Sequence, residues 1–196
     1  MKKVKIKFIQ NSLTIQNHKR IKIEIFYNIT NTYILYYYGT MISIIQANDR
    51  LQEINQRLKK QNINMNCKIH INSDNNILLE LFVDEICVSN IKCVSKTQKN
   101  INFILIHSNT PEKFRGKKYN LILRHVIVII CNHIKINENK IQEIHSFVLN
   151  IISENTIKKY FTYTKTEDLS YVINCSKKNV KKSLELLYPL LGLQIN

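Results

Sequence analysis

Apolar and polar residues alternate from the start of the chain. Val4, Ile6 and Phe8 stand against Lys3, Lys5 and Lys7, which predicts a half-buried strand over residues 1–9 with a lysine face. The polar stretch 11–19 predicts a turn region. Ile21, Ile23 and Ile25 alternate with Lys22, Glu24 and Phe26, a second strand, and the aromatic and β-branched run 33–38 is a third, ended by Gly39. The period then changes. Ile44, Ala47, Leu51, Ile54 and Leu58 recur at spacings of three and four, with Asp49, Arg50, Glu53, Gln56, Arg57 and Lys59 between them, so 43–60 is an amphipathic helix whose apolar face turns to a core.

Alternation returns at 65–72, a strand, and Asp74-Asn75-Asn76 marks a turn. Residues 77–83 and 86–94 read as a hairpin around Asp84-Glu85, 96–100 as a polar connection and 101–107 as another strand. Residues 119–134 are apolar nearly all round. The β-branched run 126–130 suits a strand as well as a helix. Length decides for a helix, because buried strands seldom exceed about eight residues, and a helix apolar all round lies buried. Residues 144–149 are a strand, 151–161 a helix with Ser153 at its N-cap, 169–173 a short strand, and 177–187 a helix stopped by Pro189. No internal repeat is present.

Antiparallel strands followed by strand–helix–strand–helix predict an α/β (α+β) fold: a central mixed, mostly antiparallel sheet flanked by helices. Strands 101–107 and 144–150 should be parallel neighbours joined by a right-handed crossover through the helix near 118–134. The 196 residues read as a single domain, 1–196, with an N-terminal part over 1–60, a core over 77–161 and a β/α tail over 165–196.

Composition adds charge. Lysine and arginine outnumber acids 29 to 14, for a formal net charge of +15, which points to an anionic partner: nucleic acid or another polyanion, a membrane surface, or a phosphorylated cofactor. Isoleucine, asparagine and lysine dominate and Ala47 is the lone alanine, a bias that an AT-rich genome also produces. The five cysteines show no CxxC and no zinc spacing, so no metal site is predicted. They read as free thiols of a reducing, cytoplasmic compartment. Lys5 and Lys7 break any signal-like apolar run, and Arg124 and His125 interrupt the longest one, so no membrane span is predicted.

The stretch 101–133 carries the candidate chemistry. An apolar strand, a Pro-containing turn at Asn109-Thr110-Pro111, a basic bend at Arg115-Gly116-Lys117-Lys118 and an apolar helix follow one another. Backbone N–H groups at a helix start, together with positive charge, suit an anion. Ile104-Leu105-Ile106-His107 and the following Pro111-Glu112-Lys113-Phe114-Arg115-Gly116-Lys117 resemble the central motif of the GNAT superfamily of acyl-CoA-dependent N-acetyltransferases. In that motif Arg/Gln-x-x-Gly-x-Gly/Ala opens a helix. The strand ending at Asn150, with Ser153 three residues on, is similar to the family's Asn-x-x-Ala/Ser. The resemblance covers roughly 77–161. This sequence departs from the pattern at Lys118 and Asn120, where the family has Gly and Gly or Ala.

The resemblance implies a GNAT-like fold and acetyl transfer from acetyl-CoA to an amine by direct attack. It implies that strand 104–107 splays from 144–149, so that Ile104, Leu105 and Ile106 expose backbone to the pantetheine arm. The amides of Gly116, Lys117, Lys118, Tyr119 and Asn120, with Arg115, would hold the pyrophosphate, and Asn150 and Ser153 would complete the cofactor site. His107 is the titratable side chain on the strand and the candidate base. Tyr160 is the candidate acid, since the family's usual tyrosine place holds Ile157. The alternative is a catalytically inactive GNAT-like domain that binds nucleic acid or protein.

Overall fold

A computed structural model describes residues 5–9, 12–17, 21–26, 34–37, 40–72, 76–98, 100–147, 151–166 and 170–193. The N-terminal strands are β1 (Lys5–Ile9), β2 (Ser12–Asn17), β3 (Ile21–Phe26), β4 (Ile34–Tyr37) and β5 (Thr40–Ser43). Then come α1 (Ile45–Lys60), β6 (Met65–Ile71), β7 (Ile77–Val83), β8 (Ile86–Gln98), β9 (Ile101–Asn109) and α2 (Tyr119–Ile130). The chain ends with β10 (Lys135–Ile136), β11 (Asn139–Lys140), β12 (Glu143–Phe147), α3 (Ile151–Tyr160), β13 (Thr164–Lys165), β14 (Ser170–Asn174) and α4 (Lys177–Leu190).

The main sheet has seven strands in the order β13-β14-β12-β9-β8-β7-β6, antiparallel except for the β9/β12 pair. Those two run parallel, from Glu143↔Phe103 to Ser146↔Ile106, and α2 is the crossover between them. This is the α/β arrangement that the resemblance to the GNAT superfamily implies. Strands β1–β3 form an antiparallel sheet of their own, and β11-β10-β5-β4 form another.

Turn chemistry sets the registers. Asp84 and Glu85 both have positive φ, 50° and 65°, as a two-residue hairpin loop of the primed type requires, and Val83 pairs with Ile86 across it. Asn137 and Glu138 repeat the device between β10 and β11. Helix α1 ends on Asn62 (φ 56°), with Ile63 N–H bonded to Leu58 O and Asn62 N–H to Lys59 O. Helix α4 ends the same way on Gly192 (φ 72°), with Leu193 N–H to Tyr188 O and Gly192 N–H to Pro189 O. Both are Schellman closures, in which a left-handed residue lets the chain fold back onto the last carbonyls.

One sheet face carries the core. Leu79 pairs with Ile91, Ile77 with Cys93, Cys93 with Ile106 and Ile104 with Ile144, and all of these side chains are buried. Against them lies α2, buried from Leu121 through Ile130. Helices α1 and α4 both contact α2, and α1 also contacts β6, laying Ala47, Leu51, Ile54 and Leu58 into the core.

Several sequence expectations change. The polar stretch 11–19 holds β2, because Leu13 and Ile15 keep a period of two and pair with Phe8 and Ile6. Ser43 belongs to β5 and not to the helix, which begins at Ile45. The connection expected at 96–100 is mostly strand: β8 runs to Gln98, paired with Ile101. Helix α2 stops at Ile130 and passes into a 3₁₀ turn, Cys131–His133. Ser153 sits inside α3 and so is not its N-cap. Pro189 does not stop α4, since the helix reaches Leu190 and Gly192 ends it. Residues 1–4, 33, 38, Gly39, Asp74, Asn75, 148–150 and 169 of the predicted elements lie outside the described residues.

The cysteines Cys67, Cys93, Cys131 and Cys175 are buried and free, and Cys87 is half-buried. Burial pushes the thiols of Cys67 and Cys93 up to about 12. Among the described residues no group of three or more His, Cys, Asp or Glu side chains is placed to hold a metal ion, and no helix is long and apolar enough to cross a membrane.

Two predictions follow from this core. Leu51 is 1% exposed, so Leu51→Ala should cost ~2–5 kcal/mol in chemical denaturation. A loss below about 0.5 kcal/mol, the range of surface substitutions, would place the α1 face in solvent. The second concerns His125, fully buried on α2, stacked on Phe161 at 4.6 Å and edge-on to Tyr160 at 6.3 Å, with no hydrogen-bond partner for either ring nitrogen. Burial, reinforced by the charge of Lys182, lowers it from 6.5 to about 4. The unfolded chain therefore binds a proton below pH 6.5 that the folded chain refuses until about 4, and stability falls as pH drops through that window. The loss is on the order of 3 kcal/mol. His125→Phe should flatten that part of the pH–stability curve, and an unchanged slope would refute the buried, neutral histidine.

Candidate functional site

The site is built where β9 leaves the sheet. Along β9, Asn102, Ile104, Ile106 and Ser108 alternate toward the helices, while Phe103, Leu105 and His107 face the other side. Beyond Asn109 the chain is tied to β8: Ser89 Oγ donates to Asn109 O at 3.2 Å and shares a hydrogen bond with Thr110 Oγ1 at 2.8 Å. Pro111 starts a single 3₁₀ turn, Glu112–Phe114, and the Phe114 ring meets Tyr119 edge-on at 6.4 Å across the bend. Arg115 turns back, its Nε donating to Thr110 O at 3.4 Å.

The bend itself is left-handed twice, at Gly116 (φ 82°) and at Lys118 (φ 61°). Lys118 is the N-cap of α2, and no side chain caps the helix. The first turn holds no acid. The amides of the first turn, which have no intrahelical acceptor, thus emerge among Lys113, Arg115, Lys117 and Lys118, all exposed. Macrodipole and side chains have the same sign here. The sequence departs from the family's motif at 118, yet the backbone there takes the conformation that a glycine would supply.

Directly behind this helix start, the β9/β12 ladder ends among the described residues. Its last paired residues are Ile106 and Ser146, while β9 continues to Asn109. The splay expected over 104–106 is absent: Ile104 and Ile106 are buried under α2 with their backbones in the ladder, and Leu105 is half-buried on the other face, opposite His145. Four polar side chains meet there. Asn120 Nδ2 donates to Ser108 Oγ, Arg124 Nη2 donates to the same Ser108 Oγ, and Arg124 Nη1 donates to Ser146 Oγ, each at 3.1 Å. Asn120 Oδ1 is buried with no partner. Arg124 is buried, and desolvation lowers its guanidinium to about 10, so it stays charged at neutral pH.

The structure does not bring the two candidate catalytic residues together. His107 is exposed on the face of the sheet away from α2. Tyr160 is half-buried on the helix side, against His125 and beneath Lys159. Ile157, at the family's usual tyrosine place, is fully buried. A phenol that the sequence did not single out, Tyr171, lies on β14 opposite Ser146 and donates to the Glu154 carboxylate, which raises its pKa. Ser153 is in the first turn of α3, and Asn150 lies outside the described residues. The Arg124–Ser108–Ser146 link was not predicted. Its one signal was a charged residue at the centre of a mostly apolar helix.

No protein-family model matches the chain, and no curated protein matches it by sequence. Solved structures overlap it in part. Naa50 of Arabidopsis thaliana, in complex with the bisubstrate analogue CoA-Ac-MVNAL, superposes with a TM-score of 0.37 at 18% identity, over 50% of this chain and 72% of that one. A GNAT-family acetyltransferase from Streptococcus pneumoniae gives 0.40 at 12% identity, over 63% and 74%. A cAMP-binding acyltransferase from Mycobacterium smegmatis gives 0.39 at 7% identity, over 74% of this chain and 61% of that one. In a mutant structure of that protein the second share is 37%. At these scores the overlap is partial, and no property of the site is carried over from it.

The bend generates a stability prediction. A side chain in the left-handed region costs about 1 kcal/mol or more, part of which glycine returns through its looser unfolded state. Lys118→Gly should therefore hold or raise stability, by up to about 1 kcal/mol. Gly116→Ala, whose Cβ meets nothing within 4 Å but whose φ is +82°, should lose roughly 1 kcal/mol from backbone strain alone. If Lys118→Gly melted clearly below wild type, position 118 would not be left-handed in solution.

Proposed function

We propose that the chain is an acyl-CoA-dependent N-acyltransferase, with the CoA pyrophosphate held at the start of α2 and the pantetheine arm entering where β9 and β12 part. The observation that carries this reading is the doubly left-handed bend at Gly116 and Lys118, which aims an uncapped helix start into a cluster of exposed cations. Amides of Tyr119 and Asn120 supply oriented donors, while Arg115, Lys117 and Lys118 add charge that solvent screens. The orphaned acceptor Asn120 Oδ1 suits an amide N–H of the arm. Asn150 and Ser153 complete the site in the same reading.

In the reaction an amine nitrogen attacks the thioester carbonyl carbon. The N–C bond forms, the C–S bond breaks with its electron pair on sulfur, and the amine gives up a proton. His107, one residue beyond the last paired rung, is the titratable group of β9 that takes that proton. A thiol of pKa about 8.5 leaves readily as thiolate, so Tyr160 has at most a small acid role. The acceptor is an amine of unassigned identity.

Calorimetric titration with acetyl-CoA tests the reading. The ligand should bind and raise the melting temperature of the wild type. Lys118→Gly should keep that binding, because the oriented amides remain. Lys117→Glu should weaken it about tenfold, since one exposed ionic contact is worth up to about 1 kcal/mol and a reversal counts twice. No binding of acetyl-CoA or of free CoA at millimolar ligand would overturn the proposal.

A further inference from the structure

Arg124, buried on α2, has no counter-ion among the described residues. Arg124 is 7% exposed, and its partners are two hydroxyls, Ser108 Oγ and Ser146 Oγ. No carboxylate stands within ion-pair distance of it among the described residues, and the remaining N–H groups of the guanidinium meet no acceptor there. Burial alone depresses its pKa, with no nearby charge contributing. Buried charges are normally paired, because neutral dipoles replace lost hydration poorly. Filling the space does not require a cation either. The helix residues flanking it in sequence, Leu121, Leu123, Val126 and Ile127, are apolar and buried, and an apolar residue of similar volume is often at least as stable as a buried charge.

Its position gives the unpaired charge a use. Ser146 sits opposite Ile106 on the last rung of the parallel pair, and Ser108 lies two residues beyond, past that rung. The guanidinium therefore bridges the last paired rung and the strand beyond it, the closed end of the ladder. In the acyl-CoA reading, on which this inference rests, the arm enters from the start of α2 and its acyl end arrives at that closed end. An acetyl methyl group there would abut a buried cation and leave it unpaired. A carboxylate at the far end of the acyl chain would accept charge-assisted N–H bonds from it and neutralise it.

We propose that this site selects acyl thioesters whose acyl chain ends in a carboxylate, with Arg124 as the specificity-determining residue and Ser108 and Ser146 holding its guanidinium in place. The transfer chemistry is unchanged. The amine nitrogen bonds to the thioester carbon, the sulfur leaves with the electron pair, and the terminal carboxylate passes intact to the product.

The test is a calorimetric comparison of succinyl-CoA, acetyl-CoA and free CoA on the full chain, as wild type, Arg124→Met and Arg124→Lys. Wild type should bind succinyl-CoA at least about tenfold more tightly than acetyl-CoA, a modest return for a close buried charge pair. Arg124→Met should lose that preference while still binding acetyl-CoA and free CoA. Arg124→Lys, which keeps the charge without the fork, should retain a preference of only a few-fold. Equal binding of the two thioesters by wild type would overturn the proposal and leave the acyl-CoA reading standing. So would a preference that survives in Arg124→Met. Failure of wild type to bind any of the three would overturn both. If Arg124→Met does not fold, the comparison of wild type with Arg124→Lys decides, and an undiminished succinyl preference in the lysine variant counts against the fork as the selector.

Discussion

The structure depends on enclosing α2. Every residue from Leu121 to Ile130 is buried, so no side of this helix is left for water. One sheet face, α1 and α4 share the work, and Tyr160 at the end of α3 with Phe161 just beyond it closes part of the rest against His125. That enclosure is what makes β9 and β12 parallel neighbours, since a right-handed crossover packed flat on the sheet brings its two strands side by side. It also fixes the helix start at the end of the central strands, beyond the last rung of the β9/β12 ladder, where the basic bend lies.

A helix buried on all sides must deal with whatever polar groups it carries. Successive residues solve the problem in opposite ways. His125 gives up its proton and is treated as a flat, neutral ring against Phe161. Arg124 cannot give up its charge at neutral pH and instead spends its donors on two serine hydroxyls from two different strands. The first solution suits packing alone. The second leaves donors to spare beside the last rung of the parallel pair.

The elements that the sequence made legible were those with a strong period. The α1 face, the hairpin around Asp84-Glu85 and the strand–helix–strand unit from β9 to β12 follow from spacing and from turn residues. The elements it hid are short or lie in runs where isoleucine, asparagine and lysine are interchangeable: β2, β5, and the two-residue strands β10, β11 and β13. The bend was legible as a place but not as a conformation. A lysine at a glycine position reads as a lost motif, whereas the backbone at 118 is left-handed all the same. The buried link was the least legible part. Ser108, Ser146 and Arg124 are far apart in sequence, and only the parallel register of β9 and β12 puts the two serines within reach of one guanidinium.

The cations of the site therefore fall into two kinds. Arg115, Lys117 and Lys118 stand in solvent at the helix start, where salt screens them and each contributes little beyond attraction of an anion. Arg124 is largely withdrawn from water, so its charge is screened less than theirs. The outer charges suit a multiply charged ligand at modest specificity, much as they suit any polyanion. In the proposed reading, discrimination between ligands of the same outer charge comes from inside, from Arg124, whose desolvation is imposed by the fold and beside which no counter-charge stands among the described residues.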